Sequence, residues 1–233
     1  MSRSAPVIAF AVAIAFGAAA TGCTSTVAGV AVKPSASVPA DDVPPLEESA
    51  LEDLLLNNRE LDKLAGVEME SLYSSDEMND NAEQVSDLDC LGAIYPGEKE
   101  IYDGAGWDAI RDEIYLESGS EEESRLVEQT VILFDSPNEA VEFFEASKDK
   151  WLQCAEIKDI HVEDGSWLPE RVEDVDERTI ALKAQVDGSL SGTCQHAMGV
   201  VSNLIVEGFS CDADDNDDAQ KVTTQILEEA REQ

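Results

Sequence analysis

The stretch Cys194-Gln195-His196-Ala197-Met198-Gly199-Val200-Val201-Ser202-Asn203-Leu204-Ile205-Val206-Glu207-Gly208-Phe209-Ser210-Cys211 decides the fold. Two β-prone runs flank Ser202-Asn203, which reads as a two-residue hairpin turn with Asn203 suited to a left-handed conformation. In such a hairpin, facing positions sum to a constant. The closing pair Val201 and Leu204 sums to 405, and so do Cys194 and Cys211. The two cysteines therefore face each other at a non-hydrogen-bonded pair, with Cα atoms ~4.5 Å apart, at the short end of the disulfide range. The same register sets Val200 opposite Ile205, Met198 opposite Glu207 and His196 opposite Phe209. The reverse face carries Ala197, Gly199 and Gly208, small residues that let a helix approach closely. That helix follows an acidic first turn, Asp214 to Asp218, and presents Ala219, Val222, Ile226 and Ala230 as one stripe with Leu227 beside it.

Working outward, the chain has 233 residues and five cysteines. With Cys194 and Cys211 paired, Cys90 and Cys154 are left for each other, and Cys23 is left over. The two bridges close loops for which chain entropy predicts about 3 and about 4 kcal/mol. Cys23 has its own explanation. Residues 1–22 read as a signal peptide: Arg3, then an apolar run from Pro6 to Ala20 that falls short of the ~20 residues of a membrane span. Ala20-Thr21-Gly22-Cys23 resembles the lipobox of bacterial lipoproteins, in which the cysteine is lipidated. Residues 23–45, with Pro34, Pro39, Pro44 and Pro45 and no aromatic residue, form a tether that holds the domain (46–233) off the membrane. The expected location is the extracytoplasmic face of the cell membrane.

Between tether and hairpin, Leu51, Leu54 and Leu55 mark a short helix, and Asn58 caps a second containing Leu61 and Leu64. Val67 to Tyr73 alternates as a strand, and Ser74 to Asp87 is a polar loop. Pro96 is placed in the first turn of a helix that Gly104 and Gly106 end, and Trp107 opens the next strand. Leu126 to Phe134 is apolar on both faces, as a central strand must be, with Gln129 among Val127, Val131 and Leu133. Ser136-Pro137-Asn138-Glu139 is a capping box with proline at the first helical position. The helix it opens carries Ala140, Phe143, Phe144, Ser147, Trp151 and Cys154 on one stripe. Ile157 to Val162 and Thr179 to Val186 are strands, with an acidic loop from Asp164 to Asp176 between them. The predicted fold is α+β: a twisted antiparallel sheet with helices packed on it and two disulfides.

The balance of 51 Asp+Glu against 15 Lys+Arg, a net charge of -36, repels phosphate backbones and excludes nucleic acid as a partner. Asp212 to Asp218 begins like a calcium loop, but positions six and twelve hold Asp217 and Thr223 where glycine and glutamate belong. It reads as an acidic helix start, and no metal or cofactor is expected. His161 and His196 read as structural. With no G-x-S-x-G elbow and no phosphate loop, the chain is read as non-catalytic.

Several blocks together resemble the PknH-like sensor domains of mycobacterial receptor kinases and the lipoproteins that share them. They are Asp89-Cys90-Leu91-Gly92-Ala93-Ile94-Tyr95-Pro96, Tyr102 to Trp107, Glu128 to Phe134, Trp151-Leu152-Gln153-Cys154, and Cys194 to Cys211 with its helix. The resemblance implies an actinobacterial envelope, a helix-covered antiparallel sheet with two disulfides, and a ligand cleft. Tyr95, Trp107, Gln129, Trp151 and His196 are the residues picked for that cleft. The expected function is sensor-like binding of an unknown small ligand or envelope protein by a domain held at the membrane through its N-terminal lipid. The alternative is an envelope scaffold without a small-molecule site.

Overall fold

The computed structural model describes residues 43–119, 125–163, 165–188 and 192–233. Cys23, the signal peptide and nearly all of the tether lie outside the described residues. Eight strands form one antiparallel sheet: β1 (Met69–Ser75), β2 (Trp107–Glu117), β3 (Leu126–Phe134), β4 (Ile160–Val162), β5 (Gly165–Asp176), β6 (Thr179–Gly188), β7 (Gly192–Val201) and β8 (Leu204–Asp212). Their spatial order is β1-β2-β3-β8-β7-β6-β5-β4. Two meanders, β1 to β3 and β4 to β8, therefore meet at a seam between β3 and β8, where Leu133 faces Leu204 and Leu126 faces Cys211.

The hairpin register is the one the sum of 405 requires: Cys194 faces Cys211, His196 faces Phe209, and Met198 faces Glu207. The disulfide is formed with Cα atoms 4.0 Å apart. The turn differs in one respect. Ser202 takes the positive φ of 49°. Asn203 serves through its side chain, accepting from Leu46 N at 2.7 Å and donating to Leu46 O and Phe134 O. An amide with a donor and an acceptor can tie a passing chain in both directions, a role that its turn propensity does not reveal.

Helix α6 (Asp218–Arg231) covers the reverse face of the hairpin. A Cβ on Gly208 would stand 2.5 Å from Ala219 O, and one on Gly199 would stand 2.4 Å from a Leu227 methyl. The small residues are thus what lets the α6 stripe reach the sheet. Val127, Val131, Val206, Val222, Ile226 and Leu227 form the core of this face, joined by Leu51 and Leu54 of the short helix α1 (Leu51–Leu54).

The other face is covered by α3 (Leu91–Ile94), α4 (Lys99–Tyr102) and α5 (Pro137–Cys154). Ser136 caps α5, accepting from Glu139 N and donating to Glu139 Oε2 at 2.7 Å. Ala140, Phe144, Ser147, Trp151 and Cys154 are buried on its stripe, while Phe143 stays half-buried. Cys154 bridges Cys90, Cα to Cα 5.6 Å, and ties the end of α5 to α3.

Several boundaries differ from expectation. The cap of α2 (Asn58–Ala65) is Asn57 rather than Asn58, in a reciprocal box with Glu60. Pro96 lies in the turn between α3 and α4 instead of opening a helix, and Glu98 occupies the cap position of α4. β1 starts at Met69 and β4 at Ile160. The acidic stretch expected as a loop is strand β5, paired with both β4 and β6. Its charges point to solvent while Trp167 is buried, so ladder pairing outweighs the loop-like composition.

Candidate functional site

The segment from Ser86 to Tyr102 and the inner side of α5 enclose a cleft of 680 Å³. Its apolar lining is Ala93, Ile101, Phe143, Ala146 and Trp151, with Leu88 exposed at the mouth. The rim carries Asp87, Asp89 and Glu100 against Lys150, and Lys150 pairs with Asp89 at 3.0 Å. The walls are fixed at one end by the Cys90–Cys154 bridge. A second cavity, of 220 Å³, lies beyond the segment and is lined by Tyr95, Trp167, Phe209 and the Cys194–Cys211 bridge.

Behind the larger cleft lies a buried polar cluster that strand register assembles. Asp112 faces Thr130, and Thr130 faces Glu207, in one row across β2, β3 and β8. The next row carries Glu128, Phe209 and His196. Glu98 reaches the same region from the turn before α4. Glu98, Asp112, Glu128 and Glu207 are 1%, 0%, 7% and 1% exposed. Tyr102 donates its hydroxyl to Glu207 Oε1, and Gly97 N approaches the same oxygen. His196 places Nε2 2.8 Å from Glu207 Oε2 and Nδ1 3.3 Å from Ala93 O. Thr130 donates to Asp112 Oδ1 at 2.6 Å. Among the described residues Asp112 Oδ2 makes no hydrogen bond of ordinary length, and the Asp112 carboxyl lies against both the Asn79 amide and the Glu128 carboxyl. Two carboxyls bond to each other only when one carries a proton.

The electrostatics agree. Burial first, and the Asp112 charge second, push the Glu128 carboxyl well above the usual range. Burial also raises Asp112 and Glu98, against the pull of Thr130 on the first and of Asn81 on the second. Burial and the neighbouring Glu207 hold the Tyr102 phenol well above its ordinary value. Like-charged carboxyls in a low-dielectric site keep protons that solvated ones lose.

Of the residues picked from the sequence, Trp151 forms part of the larger cleft and Tyr95 part of the smaller. His196 lies beneath the larger cleft, its ring centroid 4.4 Å from that of Trp151. Trp107 is half-buried and packs against the core beside α5. Gln129 is on the α6 face, fully buried, and clamps Leu56: it accepts from Leu56 N and donates to Leu56 O, both at 2.9 Å. It therefore pairs internally and does not line the cleft for which it is named above. His161 is exposed on β4. The Asp212 to Asp218 run takes basic partners: Arg125 on Asp212, Lys183 on Asp215, and Lys221 on Asp217 and Asp218. Nothing in local sequence sets the buried carboxyls apart from the rest of the 51 acids. A signal existed, since the hairpin arithmetic already placed Glu207 opposite Met198 on the core face.

A two-bridge antiparallel sheet with helices on both faces is an α+β domain of a kind at home in oxidising compartments outside the cytoplasm. The chain belongs to the PknH-like extracellular domain family, whose profile matches residues 46–229. The serine/threonine-protein kinase PknH of Mycobacterium tuberculosis strain CDC 1551 is 28% identical over 204 residues, which cover 85% of this chain and 32% of the kinase. PknH of Mycobacterium bovis is 29% identical over 195 residues, 82% of this chain and 32% of that protein. The chain thus spans 32% of the length of these curated relatives. The crystal structure of the extracellular domain of PknH from M. tuberculosis matches with a TM-score of 0.75 at 28% identity, covering 82% of this chain and 100% of that one. The likeness is to an extracellular, non-catalytic domain of a kinase. No described helix is long and apolar enough to cross a membrane.

Proposed function

We propose that the chain is an envelope lipoprotein, anchored through lipid on Cys23, whose domain binds a small ligand in the cleft between the 86–102 segment and α5. The observation that carries the reading is the cleft itself: 680 Å³ with Trp151, Phe143, Ile101 and Ala93 in its lining, against a rim dominated by Asp87, Asp89 and Glu100. An apolar lining takes up the body of a ligand and a few polar groups orient it. The acidic rim and the overall charge repel anions, so the ligand class is a molecule with an apolar or aromatic body that is neutral or cationic. The kinship with an extracellular kinase domain supports a sensing role. Native mass spectrometry of the protein taken from its own envelope tests this. A co-purifying mass that is absent from Trp151→Ala is expected, and an unliganded mass alone overturns the reading. Palmitate labelling that persists in Cys23→Ala would remove the anchor.

A further inference from the structure

We propose that the buried carboxyl cluster is a proton-operated latch for the cleft wall: while Asp112 and Glu128 share a proton the 79–102 segment is held on the sheet, and loss of that proton releases it. This deepens the ligand-binding reading, on which its functional meaning rests.

The Cys90–Cys154 bridge, the buried Leu91 and Ile94 and the Val85–Val162 pairing hold the segment at one end, and its polar attachment to the middle of the sheet runs through the cluster. Asn79 Nδ2 donates to Glu128 Oε1 at 3.3 Å and to Pro96 O at 3.1 Å. Within the segment, Asn81 ties its start to its end by binding the Glu98 carboxylate through its backbone N–H at 2.9 Å and its side-chain amide at 2.5 Å. Tyr102 and Gly97 hold Glu207, and Ala93 O meets His196. Two of these attachments bear directly on the cleft: Ala93 belongs to its lining, and Ile101 precedes Tyr102. Trp151, also in the lining, lies on the His196 ring. The wall and the cluster are one piece of structure.

Every element packed here brings its titratable groups to the same place. β2 supplies Asp112, β3 Glu128, β8 Glu207, β7 His196, α4 Tyr102, the preceding turn Glu98 and the 79–81 loop Asp80. Beyond burial, Glu207 pushes Glu98, Asp112 and Glu128 up, Asp112 and Glu98 add to this at Glu128, and the hydrogen bond from the Glu128 carboxyl pulls the other way on Asp112. A shared proton turns the Asp112–Glu128 contact into a strong bond. When pH rises through the raised range, both ionise, their contact becomes repulsive, and the Glu128 carboxylate is driven from the position in which it accepts from Asn79. The closed wall is the acid form and the open wall the alkaline form.

Hydrogen exchange of the full chain at about pH 5 and about pH 8, corrected for intrinsic rates, tests the latch. Peptides from 79–102 are expected to exchange about tenfold faster at the higher pH, while those of β7 and β8 do not respond. In the isosteric Asp112→Asn/Glu128→Gln double variant the ratio should fall to near one. Equal protection at both pH values in the wild type, or an undiminished response in the variant, overturns the proposal. Carboxyl ¹³C NMR of the wild type needs no variant: a side-chain carboxyl that titrates well above the ordinary range supports the latch, and ordinary titration of all of them overturns it. Saturation-transfer NMR with 2-phenylethylamine, an aromatic cation, separates latch from cleft. Binding that changes with pH in the wild type but not in the variant supports both. Switching exchange with no binding at either pH removes the cleft as a site and leaves the latch supported.

Discussion

The two faces of the sheet are built on opposite principles. The α6 face is closely packed, with backbone meeting backbone at Gly208 and valines filling the space beside it. Its buried polar groups are amides and hydroxyls bonded to neighbouring backbone, together with one acid, Asp218, paired with Lys221. The other face carries aromatic rings, both disulfides, four buried carboxyls and two cavities. Burying an acid costs free energy unless it is neutralised or bonded, so a face that keeps four of them is not optimised for stability alone. The α6 face provides the rigidity that the other face gives up, and sites of function are where such concessions are expected.

Removing the bridges is the strongest way to break this contrast. Cys90→Ser with Cys154→Ser, which reopens a separation of 64 residues, should cost about 4 kcal/mol in urea unfolding. Removing Cys194–Cys211, whose separation is 17, should cost about 3 kcal/mol or less, because the hairpin ladder holds its own register. A larger loss from the hairpin bridge would show that the cleft face does not depend on its clamp. Next in size is Gly208→Val. With Ala219 O 2.5 Å from the new Cβ, the helix must shift, and a loss of about 1–3 kcal/mol is expected from the denaturation midpoint. Tolerance of valine would mean that the α6 face is looser than its contacts state.

The smallest effect concerns pH, and its sign is the informative part. Carboxyls whose folded pKa is raised bind more protons folded than unfolded. Their stabilisation is fully present below the unfolded value of ~4 and is lost as pH rises through the folded value. Stability in urea should therefore fall between mildly acidic and alkaline buffer, by about 1.4 kcal/mol for each tenfold by which folding tightens proton binding. Glu128→Gln should flatten that slope. A midpoint that rises with pH over this window would show that solvated acids, not the cluster, control stability.

The α6 face was legible in the sequence because its logic is local. A two-residue turn fixes the hairpin register, the register places the cysteines and the glycines, and a helix with a clean stripe follows. The Trp151 helix was legible for the same reason, through its capping box and periodicity. The polar face was not. Asp112, Glu128 and Glu207 become neighbours only through the β2–β3 and β3–β8 registers, and nothing local fixes the second of these. Gln129 and Asn203 looked like a pocket group and a turn residue, yet both clamp the N-terminal arm, at Leu56 and Leu46, from far along the chain. Strand β5 was hidden by its own acids.

The order β1-β2-β3-β8-β7-β6-β5-β4 has a kinetic consequence. Each meander can zip from its own turns, but the seam joins residues as far apart as Leu126 and Cys211. Pairings of such separation bear the loop-closure entropy and form slowly. The seam is also where Asp112 and Glu128 of one meander meet Glu207 and His196 of the other. The last zipper to close is therefore the one that must gather carboxyls out of water, so refolding should be faster from mild acid than from alkaline buffer, with seam closure as the proton-dependent step.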